Sequence, residues 1–197
     1  MDDRAEIARD EIASIYLYTG PARPVEQSFY VFLNNALASR DPAVVTPFAS
    51  YVLLLLEAMR RMPAHYEAVY RAVGINLRAY YGTARMNGEV VTWPRFSSCS
   101  VNVTIANDFL EGEPTGTIFA VTLTTGRARN ISQFSTMPNE EEVLLSPNSR
   151  FTVSSVTPME GHGFFVQLRE VSPVDPILES RGEGGPLWSH CHLTEEP

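Results

Sequence analysis

The chain contains no lysine, so all 15 of its basic side chains are arginines, set against 23 acidic residues among 197. The net charge is −8, and the arginines are scattered rather than clustered. Nucleic-acid-binding surfaces need a basic patch that neutralises phosphates, so the composition predicts no nucleic-acid partner. The lack of lysine also excludes a phosphate-binding loop of the G-x-x-x-x-G-K-[ST] type.

Cysteines and long apolar runs are scarce as well. Two cysteines, Cys99 and Cys191, do not make a disulfide framework, which favours a reducing compartment. The longest apolar run, 51–56, is too short to cross a bilayer, so we expect no membrane segment. The start Met1-Asp2-Asp3-Arg4 lacks the basic and apolar regions of a secretory signal. We therefore expect a cytoplasmic protein, with secretion only if a signal lies outside this chain.

The first third of the chain shows apolar residues at helical spacing. Helices are predicted at residues 3–17, 24–38 and 47–62, with the sequence Thr19-Gly20-Pro21 ending the first and Pro63 ending the third. In the first helix Ile7, Ala8, Ile12, Ile15 and Tyr16 share one face, the predicted apolar stripe.

The remainder of the chain favours strands. They are predicted at residues 66–74, 88–93, 96–101, 117–123, 142–145, 150–156 and 163–171. Residues 75–81 are ambiguous, and Thr104 is a candidate cap for a short helix that reaches Leu110. Helices followed by strands with short connections indicate an α+β fold with antiparallel strands. We expect one domain over residues 1–171 and a flexible tail, rich in Pro, Gly and Glu, over 172–197.

Two strands carry polar residues of interest. Arg71 lies inside the apolar segment 69–73, where a charge must be paired or must face a cleft. An edge strand that lets the arginine reach solvent is the alternative. Ser98 and Ser100 share one face of the strand 96–101, and a polar outer face of the sheet is the alternative there.

Three consecutive carboxylates precede the strand 142–145. In an extended chain Glu140 and Glu142 point to one side and Glu141 to the other. Two carboxylates on one side of a strand can handle a cation, whereas a solvated acidic turn is the simpler interpretation.

The cysteines and histidines of the chain give weaker indications of a catalytic or metal site. Cys99 is a candidate nucleophile, but no histidine lies near it in the sequence, and a small core residue is the favoured interpretation. The segment His190-Cys191-His192 lacks the spacing of a metal site, so no metal is predicted.

In order along the chain, these features resemble the mono-ADP-ribosyltransferase family, in the Arg–Ser–Glu branch that includes vertebrate ectoenzymes and bacterial binary toxins. The resemblance covers about residues 5–171. It is carried by the segments Ile15–Gly20, Phe29-Tyr30, Leu33-Asn34, Val69–Arg71, Trp93–Phe96, Ile131–Ser135 and Glu140–Leu144.

The resemblance implies two packed antiparallel sheets around an NAD cleft. It implies transfer of ADP-ribose from NAD⁺ to a protein arginine, with release of nicotinamide and without a metal. By the same resemblance Arg71 holds the NAD phosphates and ribose, and Ser98 orients the catalytic Glu142. Glu142 binds the nicotinamide ribose and stabilises its positive charge as the glycosidic bond breaks.

The resemblance also assigns acceptor and ring contacts. Glu140 engages the acceptor guanidinium, because members that lack this first glutamate generally modify other acceptors. Phe109 falls where the family stacks an aromatic ring on nicotinamide, and Ser100 joins it among the NAD-binding residues.

The chain departs from the family pattern in three ways. Cys99 stands where Thr or Ser is usual, and Ala72 stands where Gly is common. The four cysteines of the secreted vertebrate enzymes are absent, which favours an intracellular location. Two alternatives stay open: an NAD glycohydrolase that uses water as acceptor, and a noncatalytic NAD-binding or interaction module.

Overall fold

A computed structural model describes residues 7–110, 115–159 and 163–172. The helices are α1 Arg9–Thr19, α2 Phe29–Ser39, α3 Pro42–Val45, α4 Ala49–Arg61, α5 Arg78–Asn87 and α6 Val103–Asp108. The strands are β1 Val69–Val73, β2 Val90–Trp93, β3 Ser97–Ser100, β4 Thr117–Thr122, β5 Arg129–Asn130, β6 Glu142–Leu145, β7 Ser149–Pro158 and β8 Phe164–Val171. The predicted tail falls almost entirely outside the described residues.

The predicted helices all exist, but the second and third each begin with a 3-10 turn. The second begins as a 3-10 turn at Val25–Gln27 before α2 starts at Phe29. The third, predicted at 47–62, consists of a 3-10 turn at Thr46–Phe48 and α4, and the short helix α3 lies before its predicted start. Pro47 lacks an N–H for the helical ladder, which accounts for the irregular turn at that point. The short strand β5 escaped prediction because two residues carry no readable alternation.

The buried face of α1 differs from the predicted stripe. Tyr16, a member of that predicted stripe, is 62% exposed, whereas Tyr18 is buried. Glu11 is also buried, which apolar periodicity cannot anticipate. Its carboxylate lies 2.8 Å from Arg61 Nε on α4 and accepts a 2.7 Å hydrogen bond from the backbone N–H of Ala8. Contacts with α4 therefore determine which face of α1 is inside.

Two clusters of buried residues divide the fold. The helical cluster joins α1, α2 and α4 to Phe96 just before β3 and to one face of β6, and its members include Ile15, Leu33, Leu55, Met59, Phe96, Ile131 and Leu144. The sheet cluster includes Val69, Val91, Cys99, Phe119, Val143, Phe151 and Val166. Alternation along β6 places Val143 in the sheet cluster and its neighbours Glu142 and Leu144 on the helical side. The side of β6 that carries Glu142 is thus closed by helices.

The α+β class was predicted correctly, but the expected pair of separate antiparallel sheets is not found. The eight described strands hydrogen-bond continuously in the order β2-β7-β8-β4-β1-β3-β6-β5. A single register pair, Tyr70 with Ser100, joins β1 to β3. Strands from both ends of the sheet still contribute to one core, as Val91 and Val143 show. The strand β8 pairs antiparallel with β7 on one side and parallel with β4 on the other.

The helical stretch Pro42–Arg61 is long and apolar enough to cross a membrane by length and composition alone, with a mean hydropathy of 1.6. In this fold its α4 portion packs Leu55 and Met59 into the helical cluster. The absence of a membrane segment stays a prediction.

Two glycines with different surroundings, Gly163 and Gly82, provide a test of the packing. Gly163 has φ +46°, and a Cβ at this position would overlap the backbone carbonyl of Gly116. Gly163→Ala should destabilise the protein by roughly 2–3 kcal/mol through strain and overlap. Gly82, inside α5, has no atom within 4 Å of an added Cβ. Gly82→Ala should stabilise by about 0.5–1 kcal/mol. Thermal unfolding of both variants measures the two signs, and a shared sign would contradict this packing.

Candidate active site

A cleft of about 400 Å³ lies between the helical region and the sheet. Six residues predicted from the sequence line it together: Arg71, Ser98, Ser100, Phe109, Glu140 and Glu142. Tyr18, Thr19, Pro21, Tyr30, Asn34 and Met137 are among the other lining residues. The fold therefore brings segments far apart in sequence to one concave site.

Arg71 extends from β1, a central strand flanked by β4 and β3. The edge-strand interpretation is therefore wrong. Its Nη1 donates a 2.6 Å hydrogen bond to the backbone carbonyl of Ser98. A guanidinium carries five N–H donors, so this contact orients the side chain and leaves donors for an anion in the cleft.

The serine strand is buried, so the outer-face interpretation is wrong as well. Ser100 is 6% exposed and lies opposite Glu142 in the β3–β6 register. Its Oγ accepts a 3.1 Å hydrogen bond from the backbone N–H of Asn102, just before α6. The Ser98 side chain lines the same cleft, where its hydroxyl lowers the pKa of the Glu142 carboxyl. β3 thus fixes an arginine through its backbone and a glutamate through a hydroxyl.

Glu142 is the first residue of β6 and is only 5% exposed. Burial raises the pKa of its carboxyl, and the nearby charge of Glu140 raises it further. Hydrogen bonds from Ser98 and Ser135 and the charge of Arg71 act in the opposite direction. The Ser135 Oγ lies 3.3 Å from Glu142 Oε2. Two hydroxyls and a guanidinium therefore oppose the cost of burying this charge.

The expected extended conformation of the three glutamates is wrong. Pro138–Glu140 forms a 3-10 turn, and Glu141 adopts a left-handed conformation with φ 48°. The strand begins only at Glu142, yet Glu140 and Glu142 both line the cleft while Glu141 is exposed. A turn, rather than strand alternation, brings the two carboxylates together. Burial raises the pKa of Glu140.

Phe109 lies at the end of α6, where its ring is 63% exposed at the cleft. The helix cap is Asn102 rather than the predicted Thr104. Asn102 Oδ1 accepts a 2.9 Å hydrogen bond from the backbone N–H of Thr104. An exposed aromatic face beside a polar cleft can stack on a planar ring.

Two residues that line the cleft, Tyr18 and Asn34, received no predicted role. Tyr18 is 3% exposed, and its hydroxyl accepts a 3.2 Å hydrogen bond from Asn34 Nδ2. Burial raises the pKa of Tyr18 to about 12, so the phenol stays protonated at neutral pH. The Ser98 hydroxyl lies close enough to lower this pKa slightly. Both residues lie in segments of the family resemblance, which is the signal that could have identified them.

Cys99 points into the sheet cluster, and burial raises the pKa of its thiol to about 12. A thiol of this kind is not a nucleophile at neutral pH. Among the described residues no group of three or more His, Cys, Asp and Glu side chains could hold a metal. His190-Cys191-His192 lies outside them.

Comparison with known proteins shows the family of this chain. The family model for NAD:arginine ADP-ribosyltransferases matches residues 4–173. The chain therefore belongs to the NAD:arginine ADP-ribosyltransferase family. It is also 34% identical over 148 residues, or 75% of its length, to Mav from Mycobacterium avium (strain 104), which is assigned as an NAD(+)–arginine ADP-ribosyltransferase. The matched region is only 16% of that relative's length.

Solved structures of ADP-ribosyltransferases share the fold. The Vis toxin of Vibrio splendidus, solved with agmatine, is 20% identical with a TM-score of 0.66, covering 85% of this chain and 77% of that one. HopU1 of Pseudomonas syringae pv. Tomato DC3000 is 21% identical with a TM-score of 0.66, covering 83% and 78%. C3stau2 from S. aureus, solved with NAD, is 17% identical with a TM-score of 0.63, covering 84% and 88%. These likenesses confirm the ADP-ribosyltransferase fold expected from the sequence.

Burial of the Glu142 charge predicts a dependence of stability on pH. Because the folded-state pKa of Glu142 is raised, its contribution to stability is present at low pH and lost as pH rises through that pKa. Glu142→Gln should therefore raise the Tm at pH 7 by a few degrees, and the gain should shrink as the pH falls through the raised pKa of Glu142 and be lost below about 4.

The exposed neighbour provides the control for this measurement. Glu141→Gln should leave the Tm nearly unchanged at both pH values, because this side chain is exposed. Calorimetry that finds no gain in Glu142→Gln at pH 7 would contradict the unfavourable burial of this carboxylate.

Proposed function

We propose that this protein transfers ADP-ribose from NAD⁺ to an arginine side chain of a protein acceptor and releases nicotinamide. One observation carries the proposal: Arg71, Ser98, Glu140 and Glu142, from three separate segments, line one cleft. The cleft combines a cation suited to a diphosphate with carboxylates suited to positive charge, and its volume of about 400 Å³ suits a small-molecule site.

Arg71 is the group that fits the NAD diphosphate. Its guanidinium can bind two phosphate oxygens in parallel, and the contact with the Ser98 carbonyl orients it in advance. Phe109 offers an exposed ring at the same cleft for the planar nicotinamide. These contacts would hold the two ends of the reactive half of NAD⁺.

In this proposal Glu142 assists cleavage of the glycosidic bond. When the bond between ribose C1′ and the nicotinamide nitrogen breaks, nicotinamide leaves with the electron pair and positive charge develops on the ribose. A fixed, ionised carboxylate lowers the energy of that charge, and it acts more strongly where water is excluded. The burial of Glu142 supplies this condition, while Ser98 and Ser135 keep the carboxylate oriented.

In this proposal Glu140 binds the acceptor guanidinium. It is less buried than Glu142 and lines the cleft together with the exposed Met137. A carboxylate can hold a guanidinium by paired hydrogen bonds while one of its nitrogens attacks C1′. That nitrogen must lose a proton, and burial raises the pKa of Glu140 in the direction that helps it accept one. The structure of Vis with agmatine, an arginine analogue, supports a guanidine acceptor.

NAD glycohydrolysis is the second candidate. Because Glu140 is only partly buried, water can reach the same position as a guanidinium. Nicotinamide release that is independent of any acceptor, without modified protein, would favour this function.

Substitution of the three glutamates tests the proposal. Glu142→Gln should lower both transfer and NAD⁺ hydrolysis about 10²–10³-fold, because it removes the charge that stabilises the transition state. Glu140→Gln should abolish arginine modification but leave part of the NAD⁺ hydrolysis. The measurements are transfer of labelled ADP-ribose to an arginine-rich protein and release of nicotinamide.

Glu141→Gln is the matched control, since its side chain is exposed and does not line the cleft. It should retain transfer within about twofold, as surface substitutions usually do. Transfer that survives Glu142→Gln, or equal losses in all three variants, would contradict the roles assigned to these glutamates.

A further inference from the structure

A second hydroxyl, besides that of Ser98, contacts the Glu142 carboxylate. Ser135 lies on the loop 131–141, here called the carboxylate loop because it carries Glu140 and leads directly into Glu142, the first residue of β6. Its Oγ donates to Glu142 Oε2 at 3.3 Å and accepts from the backbone N–H of Met137 at 3.1 Å. One side chain therefore connects the carboxylate to the backbone of its own loop.

Thr136, the residue after Ser135, attaches the carboxylate loop to α1. The Thr136 backbone N–H donates to Thr19 Oγ1 at 2.9 Å, and Thr136 Oγ1 donates to the Thr19 carbonyl at 2.7 Å. The two threonines exchange hydrogen bonds across 117 residues of sequence. Such a reciprocal pair restricts both the position and the direction of the loop backbone.

The end of α1 is itself firmly held. Ile15 and Tyr18 are buried in the helical cluster, and the Ser14 carbonyl accepts a 2.7 Å hydrogen bond from the Tyr51 hydroxyl. A continuous path of contacts thus leads from the helical core through Thr19 and Thr136 to the adjacent Ser135.

We propose that Ser135 is a positioning residue: its hydroxyl, anchored through the Thr19–Thr136 pair, sets the orientation of the Glu142 carboxylate. The effect on reaction rate rests on the proposed function, whereas the effect on the carboxylate itself does not. Ser98 approaches Glu142 from β3, so Ser135 supplies a contact from the loop that carries the acceptor glutamate.

Several other groups act on Glu142 and remain in place when Ser135 is changed. Arg71 and Ser98 favour its ionised form, Glu140 disfavours it, and Tyr18 lies close enough to sense its charge. Loss of the Ser135 hydroxyl should therefore raise the pKa of Glu142 without abolishing its ionisation.

The test uses Ser135→Ala, with Ser135→Thr as the conservative variant that keeps the hydroxyl. In Ser135→Ala we expect transfer to fall on the order of tenfold, since a hydrogen bond to a charged group is lost. The acidic limb of the pH–rate profile should move to higher pH, because activity needs ionised Glu142. Ser135→Thr should restore both, whereas Ser135→Cys, a weak donor of similar size, should resemble Ser135→Ala.

Ser39 provides a matched control outside the cleft. Its Oγ also accepts from the backbone N–H two residues ahead, that of Asp41 at 3.2 Å, and it donates to the Ala36 carbonyl at 2.7 Å. Ser39→Ala removes a comparable local contact and should leave the rate and the pH profile unchanged.

The Glu142 carboxyl can also be followed directly by NMR titration of carbon-13-labelled protein without NAD⁺. A higher Glu142 pKa in Ser135→Ala than in the unsubstituted protein supports the inference even if no transfer is found, in which case only the proposed function fails. If transfer occurs and Ser135→Ala keeps both the pKa and the profile, the positioning role is overturned and the proposed function stands. A rate loss that Ser135→Thr does not restore, with an unchanged pKa, overturns it as well.

Discussion

The buried charge of Glu142 is the constraint on which the rest of the site depends. A carboxylate that is 5% exposed is unfavourable unless its environment offers hydrogen bonds and a counter-charge. The fold supplies these from three directions: Ser98 from β3, Ser135 from the carboxylate loop, and Arg71 from β1. Each contribution requires its own segment in place, so a single side chain makes three separate parts of the chain interdependent.

The division of the fold into two clusters follows from the same requirement. Along β6, Val143 enters the sheet cluster, whereas Glu142 and Leu144 face the helices. The helical region therefore closes the polar cleft and also packs the core beside it. Because α1 holds both Tyr18 in the cleft and Thr19 against the loop, stability of the helical cluster and geometry of the site are coupled.

Much of this arrangement could be predicted because it is local or because it resembles a known family. The strand 142–145 was predicted with its observed bounds, and the six predicted residues share one cleft. What could not be predicted depends on tertiary contact. The choice of Tyr18 over Tyr16 is made by the packing of α1 on its neighbours, and the buried Glu11 by its ion pair with Arg61. The continuous sheet rests on one pair between β1 and β3, which leaves no sequence pattern.

The turn at Glu141 explains why a spacing of two residues serves the site without an extended chain. The register Ser100 with Glu142 fixes the second carboxylate on β6. Glu141, in the left-handed region at φ 48°, turns the chain so that Glu140 also reaches the cleft. A left-handed conformation costs roughly 1–2 kcal/mol in a residue with a Cβ, so neighbouring contacts must hold the turn. Backbone hydrogen bonds from Glu140 to Met137 and from Glu141 to Pro138 hold the turn itself, and those of Ser135 and Thr136 attach the loop before it. Glu140 and Glu142 are therefore positioned by one anchored loop, which makes attachment to α1 a requirement for both carboxylates.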